Sequence, residues 1–335
     1  NQHYRNRLRQ QTEEEMPSAM TVAAGLEFLK EHEKKDNWFL QIECFDPHEP
    51  FYVPQKYREL YGLPEEETLN WPRYGMIPSG NYHKDLQNAA KEYAALMTMC
   101  DVHVGKVLDF MDEHDMWKDT ALIVNTDHGF LLGEHDCLGK NFPPIYDELV
   151  HTPFFIHVPG IEGKNHTSQL ASTVDIGCPS KKMGEMDGTS ILPILTEEKE
   201  IRDMALFGVH GSYTCCTDGH MVYMKANKDE TNSPIYEYTM MPTNIRGYFT
   251  DEQLKQAELI EGCRFTNGIP CLRMPSVLPY YHADRFGDRL YDLDEDPSQK
   301  KNLLTNETAV IWNQKLSDTL KKADAPKEEY ERLGL

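Results

Sequence analysis

Cysteine is scarce and scattered in this sequence. Its eight cysteines are spread over 335 residues and form no C-x-x-C pair, so neither a zinc site of that kind nor a compact disulfide framework is indicated. Reduced thiols are the simpler interpretation, and they predict a cytoplasmic protein. No apolar run approaches the roughly 18 residues of a transmembrane helix, so no membrane span is predicted. Residues 1–15 also lack the apolar core of a signal peptide.

Basic residues are also few relative to acidic ones. The chain has 34 Lys and Arg against 55 Asp and Glu, which gives a formal net charge of −21. Such a surface repels a polyanion, so nucleic acid is excluded as a broad-surface partner. A small anion held in a local pocket of lysine, histidine and metal is still compatible with this charge. The length and the 39% hydrophobic content allow one large domain or two smaller ones.

The hydrophobic pattern predicts an α/β protein. Apolar positions at steps of three and four indicate amphipathic helices over 17–32 and 86–111. Apolar runs indicate strands over 38–45, 120–125 and 153–158. This alternation of helix and strand, which continues to about residue 200, predicts βαβ units and a mostly parallel sheet flanked by helices.

One segment is the most informative about chemistry. The run from Asn125 to His135 reads N-T-D-H-G-F-L-L-G-E-H, and Leu138-Gly139-Lys140 follows it. The apolar residues before this run predict a strand that delivers Asp127 and His128 to the end of a sheet, where ligands of α/β proteins bind. A carboxylate beside an imidazole suits a divalent metal. Lys140 adds a positive charge for an anionic substrate.

The wording of this segment resembles the metal and anion motif of the sulfatases, in the alkaline phosphatase superfamily. Three further segments match sulfatase patterns in the same order along the chain: F-D-P-H-E-P-F at 45–51, E-L-V-H-T-P-F-F-I at 148–156, and L-Y-D-L-D-E-D-P at 290–297. The resemblance implies an alkaline phosphatase-like fold and a sulfuric ester hydrolase. It also implies that residues 1–200 are the C-terminal part of the catalytic α/β domain and that residues 201–335 are a smaller antiparallel α+β subdomain.

The resemblance assigns roles to individual residues. It implies that Asp127 and His128 bind a divalent metal, with calcium, magnesium and manganese all open. Lys140 would bind the sulfate oxygens and stabilise charge on the leaving oxygen. His48 would hydrogen-bond the sulfate or protonate the leaving alcohol. His135 is a further candidate for contact with the substrate, which would be a sulfated sugar or another sulfate ester.

Two parts of the sulfatase pattern are missing from this sequence: the paired aspartates of an earlier strand, and the C-x-P-S-R or S-x-P-S-R segment whose Cys or Ser becomes the formylglycine nucleophile. Cys178-Pro179-Ser180-Lys181 is similar only superficially, so no nucleophile is assigned. We therefore expect the chain to hold part of an active site that needs a missing N-terminal segment for activity. The alternatives are a phosphonate monoester or phosphodiester hydrolase of the same superfamily, and a non-catalytic remnant that binds sulfated ligands.

Overall fold

The computed structural model of the chain describes residues 2–65, 71–77, 82–141, 144–163, 166–177, 186–244, 247–264, 266–277 and 282–335. The chain divides into two compact units, the first of 1–140 with 152–163 and the second of 141–151 with 164–335. The predicted domain boundary between residues 200 and 201 lies inside the second unit and stays a prediction. Within the described ranges, no helix is both long enough and apolar enough to cross a membrane.

Among its described residues, the first unit contains four α-helices and five short strands. The helices are α1 (Gln2–Arg7), α2 (Pro17–His32), α3 (Gln55–Leu60) and α4 (Tyr82–Glu113). The strands are β1 (Gly75–Met76), β2 (Leu122–Asn125), β3 (Leu131–Leu132), β4 (Cys137–Gly139) and β5 (Phe154–His157).

The helices supply most of the core of the first unit. Helix α2 begins with Pro17, whose fixed φ and missing N–H suit the first turn of a helix. It buries Ala19, Val22 and Leu29 at helical spacing and packs against α4. The periodicity thus predicted both helices correctly, because a helix that packs along one face carries the 3.6-residue period of that face in its own sequence.

Strands β2 and β5 pair with each other in antiparallel orientation, with Ile123 opposite Ile156. The expected parallel pairing is wrong for these strands, and every strand pair within the described residues is antiparallel. A parallel pair needs a crossover, usually a helix, that returns the chain to the starting end of the sheet. In the described part of the link between β2 and β5, the longest helix is α5 (Asp147–Val150), with four residues.

The predicted strand over 38–45 pairs with no strand among the described residues. Its residues alternate between half-buried and exposed, as strand residues do. Phe39 is 85% exposed and Phe45 is 58% exposed. On β5, Phe155 is 66% exposed. These strand-like segments therefore leave apolar side chains uncovered within the first unit.

The second unit contains the remaining helices and strands. After α5, its helices are α6 (Thr173–Ile176), α7 (Leu192–Glu197), α8 (Asp251–Lys255), α9 (Asn306–Lys322) and α10 (Lys327–Leu333). Its strands are β6 (Ala205–Gly208), β7 (Thr214–Thr217), β8 (Met221–Lys225), β9 (Tyr236–Thr239), β10 (Thr243–Asn244), β11 (Gly247–Tyr248), β12 (Glu258–Ile260), β13 (Cys271–Pro275) and β14 (Arg289–Asp292).

Antiparallel sheets organise this second unit, as the resemblance implied. A four-stranded sheet has the order β14-β8-β7-β6, and a three-stranded sheet has the order β12-β13-β9. Helix α9 packs on the larger sheet, where Trp312 and Leu316 join Tyr223 and Leu290 in one buried cluster. A Thr305 cap fixes the start of α9 by accepting a hydrogen bond from the N–H of Thr308.

Candidate active site

A short hairpin of the first unit carries Lys140. Strands β3 and β4 pair in antiparallel register, with Leu131 and Leu138 both buried, and Lys140 follows the last residue of β4 directly. Gly139 has a φ of +113°, and a Cβ atom there would lie 2.7 Å from Cγ of Tyr74. Only glycine allows both this backbone conformation and this close contact, so the sequence Leu-Gly-Lys sets the path of the chain into the site.

Glu49 lies at the centre of a buried charged cluster. Its side chain is 6% exposed, and one carboxylate oxygen, Oε1, accepts a hydrogen bond from the Tyr74 hydroxyl. The other oxygen, Oε2, lies 3.7 Å from Nζ of Lys140 and 3.4 Å from Nδ1 of His48. The Lys140 side chain is itself only 10% exposed. Burying an ammonium group requires a compensating charge, and Glu49 supplies it.

The imidazole of His48 is held by the neighbouring backbone. Its Nδ1 lies 2.6 Å from the carbonyl oxygen of Glu49. A carbonyl oxygen can only accept, so Nδ1 is the protonated nitrogen and Nε2 is the one left for a substrate. The ring of Phe45 stacks on His48 with a centroid distance of 4.5 Å. His48 is thereby fixed in both tautomer and orientation, while its side chain is 38% exposed.

Asp127 and His128 follow β2 and form a second pair of polar side chains. The backbone N–H of His128 donates to Oδ1 of Asp127 at 2.8 Å, and Nδ1 of His128 donates to the carbonyl oxygen of Gly129 at 2.9 Å. Burial alone would raise the pKa of Asp127, but the hydrogen bond from the His128 backbone and the charge of its imidazole outweigh burial and lower that pKa. Asp127 is therefore held as a carboxylate.

This pair fits part of a metal site. Oδ2 of Asp127 and Nε2 of His128 are 3.4 Å apart, and the hydrogen bond of His128 Nδ1 leaves the Nε2 lone pair free. Donors about 3 Å apart can occupy neighbouring positions around an ion with ligand distances of about 2.0–2.5 Å. Within the described ranges, however, no group of three or more His, Cys, Asp or Glu side chains is arranged to hold a metal. Two donors are fewer than a hard divalent ion requires.

The contacts of the described residues link the two pairs only indirectly. His48 and Lys140 meet through Glu49, whereas Asp127 and His128 contact each other. Phe130 lies two residues after His128 and packs edge-on against Tyr74 and Phe51, with centroid distances of 5.7 and 5.5 Å. This aromatic contact connects the loop after Asp127 and His128 to Tyr74, the residue that holds Glu49. The resemblance implies that His48, Asp127, His128 and Lys140 belong to one site, and this stays a prediction.

Two other polar residues have different surroundings. His135 lies in the tight turn between β3 and β4 at a φ of +55°, and its contact with a substrate stays a prediction. Asp46 accepts a hydrogen bond from the hydroxyl of Ser18 at 2.5 Å, which ties the turn after residue 45 to the first turn of α2. Burial raises the pKa of Asp46. The weak nucleophile candidate Cys178–Lys181 lies outside the described residues.

Sequence reasoning missed Glu49 and Tyr74. A glutamate in a proline-rich loop is usually solvated, so the sequence offered little reason to assign a role to Glu49. Its burial depends on Tyr74 and Lys140, which lie 25 and 91 residues further along the chain. The one available signal was the position of Glu49 beside His48, between two prolines.

Solved structures show which fold these elements form. BT4656, solved in complex with its substrate D-glucosamine-2-N,6-O-disulfate, has a TM-score of 0.59 at 13% identity, over 92% of this chain and 69% of that chain. The phosphonate monoester hydrolase of Agrobacterium radiobacter has a TM-score of 0.57 at 17% identity, over 93% of this chain and 61% of that chain. These likenesses show the fold, which is the alkaline phosphatase-like α/β fold that the sequence predicted, and only the expected parallel strand pairing is not found among the described residues.

Sequence comparison identifies the family. The sulfatase family model matches residues 1–177, more than half of the chain. The arylsulfatase of Clostridium perfringens is 26% identical over 163 residues, which cover 44% of this chain and 34% of that protein. This chain belongs to the sulfatase family. It spans about a third of the length of the curated relatives that it matches.

Proposed function

We propose that the chain forms part of the active site of a sulfuric ester hydrolase that depends on a divalent metal. The observation that carries this proposal is the buried ammonium group of Lys140 in the sulfatase motif, which lies near the same Glu49 carboxylate as the fixed imidazole of His48. A protein buries a lysine of this kind only with a compensating charge. Such a buried ammonium group is suited to binding an anionic substrate.

The residues present account for binding and departure of the leaving group. Lys140 would contact an oxygen of the sulfate and stabilise the negative charge that grows on the bridging oxygen as the S–O bond breaks. In its imidazolium form, with both ring nitrogens protonated, His48 would donate its Nε2 proton to that oxygen, so that an alcohol leaves instead of an alkoxide. Its Nδ1 bond to the Glu49 carbonyl keeps Nε2 available for this transfer.

Asp127 and His128 would hold the metal. When bound, a divalent ion would offset the charge of the sulfate oxygens and favour attack by a nucleophile. Calcium, magnesium and manganese all remain candidates, because a carboxylate oxygen and an imidazole nitrogen are acceptable to each of them.

The remaining metal ligands and the nucleophile would come from polypeptide outside these 335 residues. The two donor atoms of Asp127 and His128 support this, because a hard ion wants about six donors. The uncovered apolar side chains of Phe39 and Phe155 also support it, since extended segments with one open apolar face normally have a neighbour. We expect purified residues 1–335 with added metal to leave an aryl sulfate intact, and activity to appear when an N-terminal segment is co-expressed. Metal-dependent turnover by residues 1–335 alone would contradict the proposal.

A sulfated sugar is the proposed substrate class, with simpler aryl or alkyl sulfates as further candidates. Support comes from BT4656, whose structure contains a disulfated glucosamine. The second candidate activity is hydrolysis of phosphonate monoesters or phosphodiesters, favoured by the Asp127-His128 pair and by the likeness to a phosphonate monoester hydrolase. Comparing turnover of 4-nitrophenyl sulfate with that of 4-nitrophenyl phenylphosphonate separates the two activities.

The direct test of the proposed role replaces Lys140 in the complete enzyme. Lys140→Ala should lower kcat by about 10²–10³, the usual effect of losing one donor to a developing negative charge. Lys118→Ala is the matched control, because Lys118 is an exposed lysine of the same unit, paired with Asp115. Wild-type turnover by the Lys140→Ala enzyme would remove the lysine from the mechanism.

We also propose a cytoplasmic location. The thiols of Cys215 and Cys216 are free and fully buried, which is compatible with a reducing compartment. Fractionation of cells that express the complete protein tests this, and recovery of the protein outside the cytoplasm would contradict it.

A further inference from the structure

Glu49 lies between the imidazole of His48 and the ammonium group of Lys140 in the proposed site. Its Oε2 is 3.4 Å from His48 Nδ1 and 3.7 Å from Lys140 Nζ, and this buried oxygen has no hydrogen-bond partner among the described residues. The carboxylate attracts the ammonium group of Lys140 strongly at this distance, although both distances are too long for a good hydrogen bond. The carboxylate oxygen Oε2 therefore lies close to both groups and forms a good hydrogen bond with neither.

Tyr74 fixes the direction of that carboxylate. Its hydroxyl donates to Oε1, so Oε2 is the oxygen left to lie between His48 and Lys140. The ring of Tyr74 packs against Gly139 on one side and contacts Phe130 on another. Glu49 is thus oriented by a side chain that is itself held by the β4 end and by the loop that follows Asp127 and His128.

We propose that Glu49 is a positioning residue, which fixes His48 and Lys140 relative to one another and lowers the net positive charge that an anion meets in the site. This inference rests on the proposed function, since it concerns the same two groups. A buried carboxylate close to an anion site weakens binding of the ground-state anion. It contributes to rate by keeping the proton donor and the ammonium group aligned as the S–O bond breaks.

This role has a signature that a merely structural carboxylate lacks. Glu49→Gln keeps the shape of the side chain and its bond to Tyr74 but removes the negative charge. We expect inorganic sulfate to bind the 335-residue chain about threefold to tenfold more tightly, as one repulsive charge at this range would imply. In the complete enzyme, kcat should fall by about 10-fold to 100-fold, because misaligned groups lose transition-state stabilisation. KM should fall as well, because the substrate anion no longer meets the negative charge of Glu49.

The loss should also depend on the leaving group. An alkyl or sugar sulfate needs its leaving oxygen protonated, whereas 4-nitrophenolate leaves without help. Glu49→Gln should therefore slow the alkyl or sugar sulfate more than 4-nitrophenyl sulfate, and Glu49→Asp should recover part of the rate. The matched control is Glu92→Gln, because Glu92 is also fully buried in the first unit and is paired with Arg58 at 3.1 Å. That variant should change stability but neither sulfate affinity nor the leaving-group preference.

Calorimetric titration with inorganic sulfate, at constant ionic strength, separates the outcomes. Tighter binding by Glu49→Gln, with binding lost in Lys140→Met, supports the inference. Unchanged or weaker binding by Glu49→Gln, with binding still lost in Lys140→Met, overturns the role of Glu49 and leaves the proposed function standing. If the wild-type chain binds no sulfate and the complete enzyme hydrolyses no sulfate ester, the proposed function fails and the role of Glu49 fails with it.

Discussion

The contact between Glu49 and Lys140 predicts a large and non-additive effect on stability. At the observed 3.7 Å, two opposite charges attract by roughly 4 kcal/mol at an effective dielectric constant of about 20. Removing water from the two groups offsets much of this attraction. A variant that removes one partner still leaves the other buried without its counter-charge, and this situation typically costs about 3–5 kcal/mol.

The test is a double-mutant cycle with substitutions of similar size. Lys140→Met and Glu49→Gln should each lower the free energy of unfolding by about 3–5 kcal/mol, the range for broken buried pairs. The double variant should lose about 1–3 kcal/mol less than the sum, because neither charge is then stranded. The loss of stability in each single variant should appear near the ion pair. Hydrogen exchange of the β4 amides is therefore the appropriate assay.

The interaction with His48 makes the two single variants unequal. Glu49→Gln removes attraction to both His48 and Lys140, whereas Lys140→Met leaves the contact between Glu49 and His48 intact. Additive losses, with a coupling free energy near zero, would refute the reasoning, because they would mean that water screens the pair. An exposed ion pair such as that of Lys118 with Asp115 should show little or no coupling in the same assay, because solvent screens it.

Three further predictions follow from the structure. Asp127→Asn should weaken binding of manganese or calcium at least about tenfold, measured by equilibrium dialysis, since it replaces a charged ligand by a neutral one; equal metal content would remove Asp127 from the site. Gly139→Ala should destabilise the β3–β4 hairpin, because the new methyl group would lie 2.7 Å from the Tyr74 ring at a strained φ; a wild-type melting temperature would contradict this. Burial would raise the pKa of Glu329, but its ion pair with Arg332 and its bond from Thr214 lower that pKa below the ordinary value. Its stabilising contribution is therefore present above the unfolded pKa and lost as pH falls through the folded pKa. Glu329→Gln should thus flatten acid unfolding below about pH 4.5, and an unchanged acid limb would show that the pair contributes nothing.

The sequence by itself determined two helices of the first unit and named candidate residues for the site. Helix α2 was predicted with the bounds that the structure shows, Pro17–His32, because proline placement and a one-sided apolar stripe are local properties. The motif residues Asp127, His128 and Lys140 could be named because their spacing is written in the chain. The antiparallel second unit was likewise expected from the resemblance.

Tertiary structure alone decided which strands pair and which charges are buried. The 38–45 segment has the residues of a strand, yet a ladder needs a partner whose position no local pattern contains. The direction of β2 against β5 depends on how the intervening chain returns. Glu49 became central because Tyr74 and Lys140, distant in sequence, close over it. Burial and Coulomb attraction depend on distances in space, and sequence separation does not encode those distances.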